Sequence, residues 1–167
     1  TKLVISTSGS GQMQPLPMNE YIQQNMKKVG IDLQLEVVEW ARMRTISRAG
    51  ATTPDQKGFH AINNSYGTPH PFNTFVRFFH SSSVAPKGRN WGHYKAKWAD
   101  EIIDKILVTF DIDEQNKLCA KLHERLVDEA AWIWIVKDLN PRALAANVKG
   151  MVPAQSWYLD LTGVYKK

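Results

Sequence analysis

The sequence predicts an α/β fold with a mixed sheet flanked by helices, and three observations support this prediction. A strand, a helix and a second strand follow one another with short joins in residues 1–38, which is the order of a βαβ unit. Residues 97–130 contain two helices, each with one apolar face. Residues 132–136, Trp-Ile-Trp-Ile-Val, form an apolar run without alternation, which is typical of a strand buried inside an α/β sheet.

The first half of the chain supplies the predicted βαβ unit. Residues 2–7 predict a strand, and residues 15–29 predict a helix whose apolar stripe is Ile22, Met26 and Val29. Prolines suit the first turn of this helix, and Gly30 suits its end. The other elements predicted here are a strand at 31–38 with alternating buried residues, a helix at 40–48 and a strand at 59–64. The order predicts that the first two strands pair in parallel.

The second half begins with a long region, residues 66–95, that we expect to be irregular because it is rich in Gly, Pro, Ser and aromatic residues. Such stretches in compact domains are usually functional. The two helices that follow are predicted at 97–109, with a Glu101–Lys105 ion pair, and at 112–130, with Asp111 as its cap. Residues 138–167 predict short strands and loops that return along the edge of the domain.

Composition limits the class of protein. A chain of 167 residues with 43% apolar residues can bury one core, and no apolar run reaches the ~20 residues of a membrane-spanning helix. The single cysteine, Cys119, excludes an internal disulfide and a cysteine-based zinc cluster. The net charge of +5 comes from scattered Lys and Arg pairs, which favours a solvated surface over nucleic-acid binding. Nucleic-acid binding stays open as a rival function.

No catalytic or metal-binding pattern is present in the sequence. The five histidines lack the spacing of metal ligands, and Ser81–Ser83 beside His80 are sequence neighbours rather than a catalytic triad. Gly9-x-Gly11 lies between a strand and a helix, but Gln14 stands where a dinucleotide-binding turn has its third glycine. A nucleotide-binding α/β enzyme domain that uses this turn is therefore the alternative function. We expect no cofactor, no metal and no catalytic residue.

Aromatic residues outside the predicted core are the best candidates for ligand contacts. They fall at strand ends and in loops, where α/β folds place ligands and where aromatics with a polar group often line clefts. Polar residues at the strand ends add hydrogen-bonding groups, and one arginine is a candidate partner for an anion. The predicted ligand-facing residues are Trp40, Arg42, Asn64, Tyr66, Thr68, Trp91 and Tyr94.

The order of several local strings resembles the carboxyl-terminal part of the peptide/nickel class (family 5) of ABC-transporter solute-binding proteins. The resemblance covers most of the chain and includes a helix that ends at Lys-x-x-Gly-Ile and an Asp-x-x-Ile-Asp helix. The strings that carry it are Tyr21–Leu33, Val38–Ala41, Trp91–Tyr94, Ala99–Asp104, Phe110–Asp113, Leu126–Glu129 and Val148–Met151.

This resemblance implies an extracytoplasmic, periplasmic receptor with two lobes, of the class II periplasmic-binding-protein fold, that closes around a small solute without catalysis. It implies that residues 1–167 are a single lobe of a larger protein, with residues 138–167 returning toward the hinge. The implied partners are a peptide-like or other small polar solute, the missing second lobe and an ABC permease in the membrane, and no nucleic acid. We therefore expect this chain to be an excised piece, and half a cleft to bind its solute weakly.

One segment departs from the family pattern. Peptide-binding members carry a Trp followed by an Asp that pairs with the free amine of the peptide, whereas this chain has Tyr66 and Thr68 in that segment. A neutral Thr cannot balance an ammonium group, and a buried unpaired charge is costly. The sequence therefore does not favour a ligand that is anchored by a free α-amine.

Overall fold

The computed structural model describes residues 1–6, 15–50, 59–67, 70–136, 142–154 and 158–167. The strands are β1 Lys2–Ser6, β2 Gln34–Val38, β3 Ala61–Ile62, β4 Val148–Lys149 and β5 Tyr165–Lys166. The α-helices are α1 Pro15–Lys28, α2 Trp40–Ala49, α3 Pro71–Phe78, α4 Lys97–Leu107 and α5 Ile112–Asp128, and Ser81–Ser83 form a 3₁₀ turn.

The sheet of the first half has β1 at its centre, with β2 and β3 on either side, and both neighbours run parallel to it. Leu3 of β1 is paired with Leu35 of β2 and with Ala61 of β3. The predicted parallel pairing of the first two strands is confirmed. β4 and β5 form a separate antiparallel pair, so the predicted α/β class with short strands near the end of the chain is also confirmed.

Helices cover both faces of this sheet, because alternate residues of a strand point to opposite faces. Leu3 and Ile5 pack with Leu33 and with Ile22 and Met26 of α1 on one face. On the other face, Val38 and Ile62 pack against Met43 and Ile46 of α2. These two small clusters hold α1 and α2 on the sheet.

Two details of the predicted βαβ unit were wrong. Val29 lies just beyond the end of α1 and is 71% exposed, because the helix ends at Lys28 and Gly30 takes a positive φ of 81°. β2 begins at Gln34 rather than at residue 31, and Val37 is exposed although it is in phase with the buried Leu33. β2 is paired on one side only among the described strands, so its end is incompletely covered.

The predicted irregular region contains α3, a helix that sequence reasoning missed. Phe72, Phe75, Val76 and Phe79 recur at helical spacing, and Pro71 occupies the first turn. The richness of the region in Gly, Pro and Ser concealed this eight-residue helix. Burial of its aromatic face against α4 and α5 stabilises it.

The apolar run at 132–136 is not a strand, so this prediction was wrong. Trp132 and Trp134 pack on the ring of Phe79 with centroid distances of 4.7 and 6.0 Å, whereas Ile133 and Val136 are each 61% exposed. No described strand pairs with the run. Its apolar character therefore reflects aromatic packing on one side and an uncovered surface on the other.

The main core lies between α3, α4 and α5, as the apolar stripes of the last two helices predict. Asp111 caps α5 by accepting a 2.9 Å hydrogen bond from the Glu114 amide, as expected. Glu101 forms its ion pair with Lys97 rather than with Lys105. The buried residues of this core are Phe75, Phe78, Phe79, Ala99, Ile103, Ile106, Leu118, Cys119, Leu122 and Leu126.

Cys119 is part of this core, and burial raises the pKa of its thiol above the ordinary value. A thiol with a raised pKa is a poor nucleophile at neutral pH. In the parts of the chain that the structure describes, no helix combines the length and the apolar character needed to cross a bilayer.

Candidate functional site

The carboxyl ends of the three parallel strands meet at one edge of the sheet, where α/β folds place their ligands. Trp40 begins α2 directly after β2, and Asn63, Asn64 and Tyr66 follow β3. We call these four residues the strand-end surface. Positions 7–14, which follow β1 in the sequence, lie outside the described residues.

Asn19 of α1 contacts this edge of the sheet through a hydrogen bond to Asn63, and sequence reasoning missed Asn19. Its side chain is fully buried, and its Oδ1 accepts a 2.9 Å hydrogen bond from Nδ2 of Asn63. Asn19 precedes Ile22 by three residues and Met26 by seven, so it continues the apolar stripe of α1 as a polar residue. A polar residue on an apolar stripe was the available signal. The bond ties α1 to the segment that carries Asn64 and Tyr66.

Asn64 presents a buried acceptor to the site. Its Oδ1 is shielded from solvent and has no hydrogen-bond partner among the described residues. Buried polar groups are nearly always hydrogen-bonded, and an unpaired one lowers the stability of the folded state. A carbonyl oxygen in this state can accept a hydrogen bond from an N–H or O–H group of a bound solute.

Tyr66 and Trp91, predicted from distant parts of the sequence, meet on one buried ring. Both contact Phe78 edge-on, with centroid distances of 5.2 and 5.1 Å. Phe78 is only 2% exposed, so it forms a fixed support, while Tyr66 and Trp91 remain partly accessible. This pair is an aromatic wall of the kind that lines solute clefts.

Tyr94 packs against the neighbouring ring of Phe79 at 5.7 Å, and its hydroxyl donates a 2.7 Å hydrogen bond to Glu129 after α5. Burial and the hydrogen bond to the Glu129 carboxylate raise the pKa of Tyr94 well above its ordinary value. The hydroxyl therefore stays protonated and ties the loop to the helical core. A ligand contact for Tyr94 stays a prediction.

Asn90 positions the loop that carries Trp91, and nothing in the sequence singled it out. It is 1% exposed and binds the backbone of Tyr94 twice, through Nδ2 to the carbonyl at 2.7 Å and through Oδ1 to the amide at 2.9 Å. A Cβ atom at Gly88 would overlap the carbonyl of Ser83. The hydrogen bonds of Asn90 and the close backbone approach at Gly88 therefore fix the conformation of this loop.

Of the remaining predicted site residues, one belongs to the strand-end surface, one is exposed on α2 and one is not described. Trp40 packs with Met43 and Ile46 on the α2 side of the sheet. Arg42 is exposed on α2. Thr68 lies outside the described residues, as do Gly9 and Gly11 of the alternative nucleotide-binding turn. The structure therefore brings Tyr66 and Trp91 to one ring, and the ligand contacts of all the predicted site residues stay predictions.

The segment around His80 is a turn cap. Nδ1 of His80 accepts from the Ser82 amide at 3.0 Å and lies 2.6 Å from Ser82 Oγ, while Nε2 lies 3.2 Å from Asp104 Oδ1. Both contacts to Ser82 close the 3₁₀ turn locally. In the described parts of the chain, no group of three or more His, Cys, Asp or Glu side chains is arranged to hold a metal ion.

An apolar groove shares no lining residue with the strand-end surface. It has a volume of about 540 Å³ and lies between α1 and residues 133–136. None of the predicted ligand-facing residues lines it. Its lining consists of Pro17, Met18, Tyr21, Ile22, Ile133, Trp134, Ile135 and Val136.

Comparison with known proteins identifies relatives of this fold. No model of a known protein family matches the chain. Over 129 residues, 77% of its length, the chain is 22% identical to the oligopeptide-binding protein AppA of Bacillus subtilis (strain 168), of which the match covers 22%.

Solved structures match almost the whole chain. The structure of AppA from Bacillus subtilis in complex with a nonapeptide has a TM-score of 0.68 and 18% identity, and covers 99% of this chain and 31% of AppA. The periplasmic binding protein DppA from Helicobacter pylori, in complex with the peptide STSA, has a TM-score of 0.69 and 20% identity, with the same coverage. HbpA2 from Haemophilus parasuis has a TM-score of 0.69 and 18% identity, over 99% of this chain and 32% of HbpA2.

These similarities confirm the predicted resemblance to the peptide/nickel class of solute-binding proteins. At such identities the structural likeness establishes a shared fold. The chain spans about a third of the length of the solved proteins named above and less than a quarter of the curated sequence of AppA.

Proposed function

We propose that this chain is one lobe of an extracytoplasmic solute-binding component of an ABC importer, and that it binds a small polar solute without catalysis. One observation carries the proposal. Asn64 and Tyr66 follow β3 at the carboxyl edge of a parallel sheet, where Asn64 carries a buried, unpaired amide oxygen and Tyr66 shares the ring of Phe78 with Trp91, in a fold shared with proteins that are described as binding peptides.

Each of the named residues would make a different contact with the solute. Asn64 Oδ1 would accept a hydrogen bond from the solute, and the bond would remove the cost of an unpaired buried acceptor. Trp91 would stack on the solute and Tyr66 would border it, and Phe78 supports both rings. Contacts from Trp40, Arg42, Thr68 and Tyr94 are part of the proposal. With Thr68 in place of an acidic residue, we propose that the solute is not held by a free α-amine.

The proposal of a single lobe is supported by the uncovered groove between α1 and residues 133–136. Its lining is apolar, and Ile133 and Val136 are each 61% exposed. Contiguous exposed apolar surface usually marks a surface that another part of a protein covers. Since the solved relatives are about three times as long as this chain, we propose that the rest of the same protein covers the groove. An ABC permease would then receive the solute from the closed two-lobed protein.

Native mass spectrometry of the full-length parent protein tests this function. We expect a small polar molecule to co-purify with the parent. The variant Asn64→Ala should lower the bound fraction at least about tenfold, because a hydrogen bond to the solute is lost. Asn116→Ala, an exposed asparagine on α5, is the matched control and should retain the solute.

Thermal-shift measurements on the parent separate the rival functions. A solute-binding protein should be stabilised by its co-purified solute and not by NAD or ATP. Stabilisation by NAD or ATP alone would support the nucleotide-binding alternative and contradict the proposal. Retention on DNA that falls steeply with salt would instead support nucleic-acid binding. A parent that carries no solute and is stabilised by none would also contradict the proposal.

A further inference from the structure

Two arginines from different parts of the chain converge on the ring of Tyr66. The guanidinium carbon of Arg89 lies 4.7 Å from the ring centroid, and that of Arg77 lies 5.6 Å from it. Arg77 belongs to the last turn of α3, and Arg89 precedes Trp91 in the following loop. Because both distances are measured to the same ring, the two guanidinium groups are at most about 10 Å apart.

The charges of these two arginines are not balanced by acidic groups. Both side chains are exposed, and neither forms an ion pair with a carboxylate among the described residues. The π-electrons of Tyr66 attract both cations, but the ring carries no net charge. Two positive charges held this close repel each other. An anion bound beside them would remove that repulsion.

The geometry leaves most of the hydrogen-bond donors available. A guanidinium group has five N–H donors in one plane, and among the described residues the only hydrogen bond of either arginine is a long one of 3.4 Å from Arg77 Nη1 to the Tyr66 hydroxyl. An arginine that lies against an aromatic ring can still present the edge of its fork outward. Such forks match the oxygens of carboxylate and phosphate groups.

The ring that organises the arginines is itself rigidly supported. Tyr66 packs edge-on against Phe78, which is 2% exposed and also contacts Trp91. An apolar support lowers the local dielectric constant and strengthens the interaction of nearby charges. The arginines are therefore placed beside the same aromatic wall that the proposed function assigns to the solute.

We propose that Arg77 and Arg89 bind an oxyanion, a carboxylate or a phosphate group, carried by the solute, with Tyr66 as their positioning residue. This inference rests on the proposed function and narrows it to anionic solutes. It adds to the proposed contact of Arg42 a pair of arginines that the sequence did not indicate. The two arginines are twelve positions apart, and only the loop after α3 brings them to one ring.

Nuclear magnetic resonance of the ¹⁵N-labelled 167-residue chain tests this site, because it detects weak binding. The Nε–Hε signals of the arginines are followed while sodium acetate or, in a separate arm, sodium phosphate is added at constant ionic strength. We expect saturable shifts of Arg77 and Arg89 in at least one arm. The arm with the tighter binding distinguishes a carboxylate from a phosphate.

Matched variants locate the effect. Arg77→Gln and Arg89→Gln should each weaken anion binding at least about tenfold, since each removes a charge-assisted hydrogen bond. Arg44→Gln, an exposed arginine on α2, should leave the affinity unchanged. Tyr66→Phe keeps the ring and should retain binding, whereas Tyr66→Leu should weaken it. The amide spectrum of each variant reports whether it is folded, and the exposed arginine variants keep the test valid if Tyr66→Leu unfolds.

The outcomes are distinct from those of the proposed function. Chemical shifts that change linearly with the concentration of the added anion in both arms, without saturation, would overturn the anion site. Equal effects of Arg44→Gln and Arg89→Gln would also overturn it. An uncharged solute bound to the full-length parent would also overturn it, while leaving the solute-binding function intact. A parent without any solute would instead defeat the proposed function, whatever the titration shows.

Discussion

The helical part of the chain, α3 to α5, and its strand part, β1 to β3 with α1 and α2, are stabilised in different ways. The helical part buries Phe75, Phe78 and Phe79 together with the apolar stripes of α4 and α5 in one continuous cluster. The strand part has two small clusters on opposite faces of a three-stranded sheet. It also contains a partly buried polar contact, Asn19 to Asn63.

This difference separates a well-buried part of the described structure from a part that leaves apolar surface exposed. The helical cluster covers its own apolar residues, whereas the groove between α1 and residues 133–136 remains open. The proposed binding surface lies where the two parts meet, with Asn64 from the strand part and Trp91 from the helical part. We therefore expect core substitutions to act on stability in the helical part, and polar substitutions to act on position and binding in the strand part.

The largest effect is expected at the centre of the helical cluster. Phe79 is fully buried and contacts Phe75, Tyr94 and Trp132. Phe79→Ala should lower the free energy of unfolding by about 3–5 kcal/mol, because it removes apolar burial and leaves a cavity. Chemical denaturation of the chain measures this. Phe110→Ala, at a residue that is 96% exposed, should change stability by less than about 0.5 kcal/mol. Equal losses of stability in Phe79→Ala and Phe110→Ala would contradict the claim that the buried cluster stabilises the helical part.

A smaller effect is expected at the polar contact of the strand part. Asn19→Ala should lower the free energy of unfolding by about 1–3 kcal/mol, because the partly buried amide of Asn63 loses its acceptor. Denaturation of the single variants and of the double variant with Asn63→Ala measures the coupling. The double variant should lose less than the sum of the two single losses. Strict additivity would show that the Asn19–Asn63 bond does not hold α1 to the sheet edge.

The hydrogen bond of Tyr94 gives a pH-dependent prediction. Tyr94→Phe should cost about 0.5–1.5 kcal/mol at neutral pH, because the bond to Glu129 is lost. The pKa of Tyr94 is raised in the folded chain, so the protonated form is favoured by folding. The advantage over Tyr94→Phe is therefore fully present below the unfolded pKa of about 10 and decreases as the pH rises above it. Denaturation at pH 8 and above pH 10 checks this, and an advantage that grows with pH would contradict it.

The smallest effect on stability is expected at Asn64, where the effect on binding should be large. Asn64→Ala removes a buried oxygen without a partner, so the solute-free chain should lose less than about 0.5 kcal/mol or become slightly more stable. Thermal unfolding of the chain without solute measures this. A loss above about 2 kcal/mol would show that Asn64 has a structural role instead. Asn64 would then contribute to stability as Asn19 does.

Structural features that depend on residues close together in the sequence could be predicted. The stripe of α5 and its Asp111 cap depend on neighbouring turns of one helix, and the parallel pairing of β1 with β2 follows from the βαβ order. The run at 132–136 misled because apolar residues without alternation fit both a buried strand and a segment packed on aromatic rings.

The site was less accessible to sequence reasoning, because it is assembled by distant contacts. Tyr66 and Trp91 were selected because they are aromatic residues in loops, and the structure shows that both contact Phe78, while their contact with a ligand stays a prediction. Asn90 and Arg77 were not found, because their roles depend on which backbone or ring they meet after folding. The buried state of Asn64 Oδ1 likewise depends on the tertiary structure.

Isothermal titration calorimetry with the co-purified solute tests the central claim, that this chain forms one side of a two-sided cleft. The full-length parent and the 167-residue chain are titrated under the same conditions. We predict binding by the parent and at least about a hundredfold weaker binding by the chain alone, because the second lobe is needed to exclude water from the solute. Nanomolar binding by the chain alone would contradict the claim.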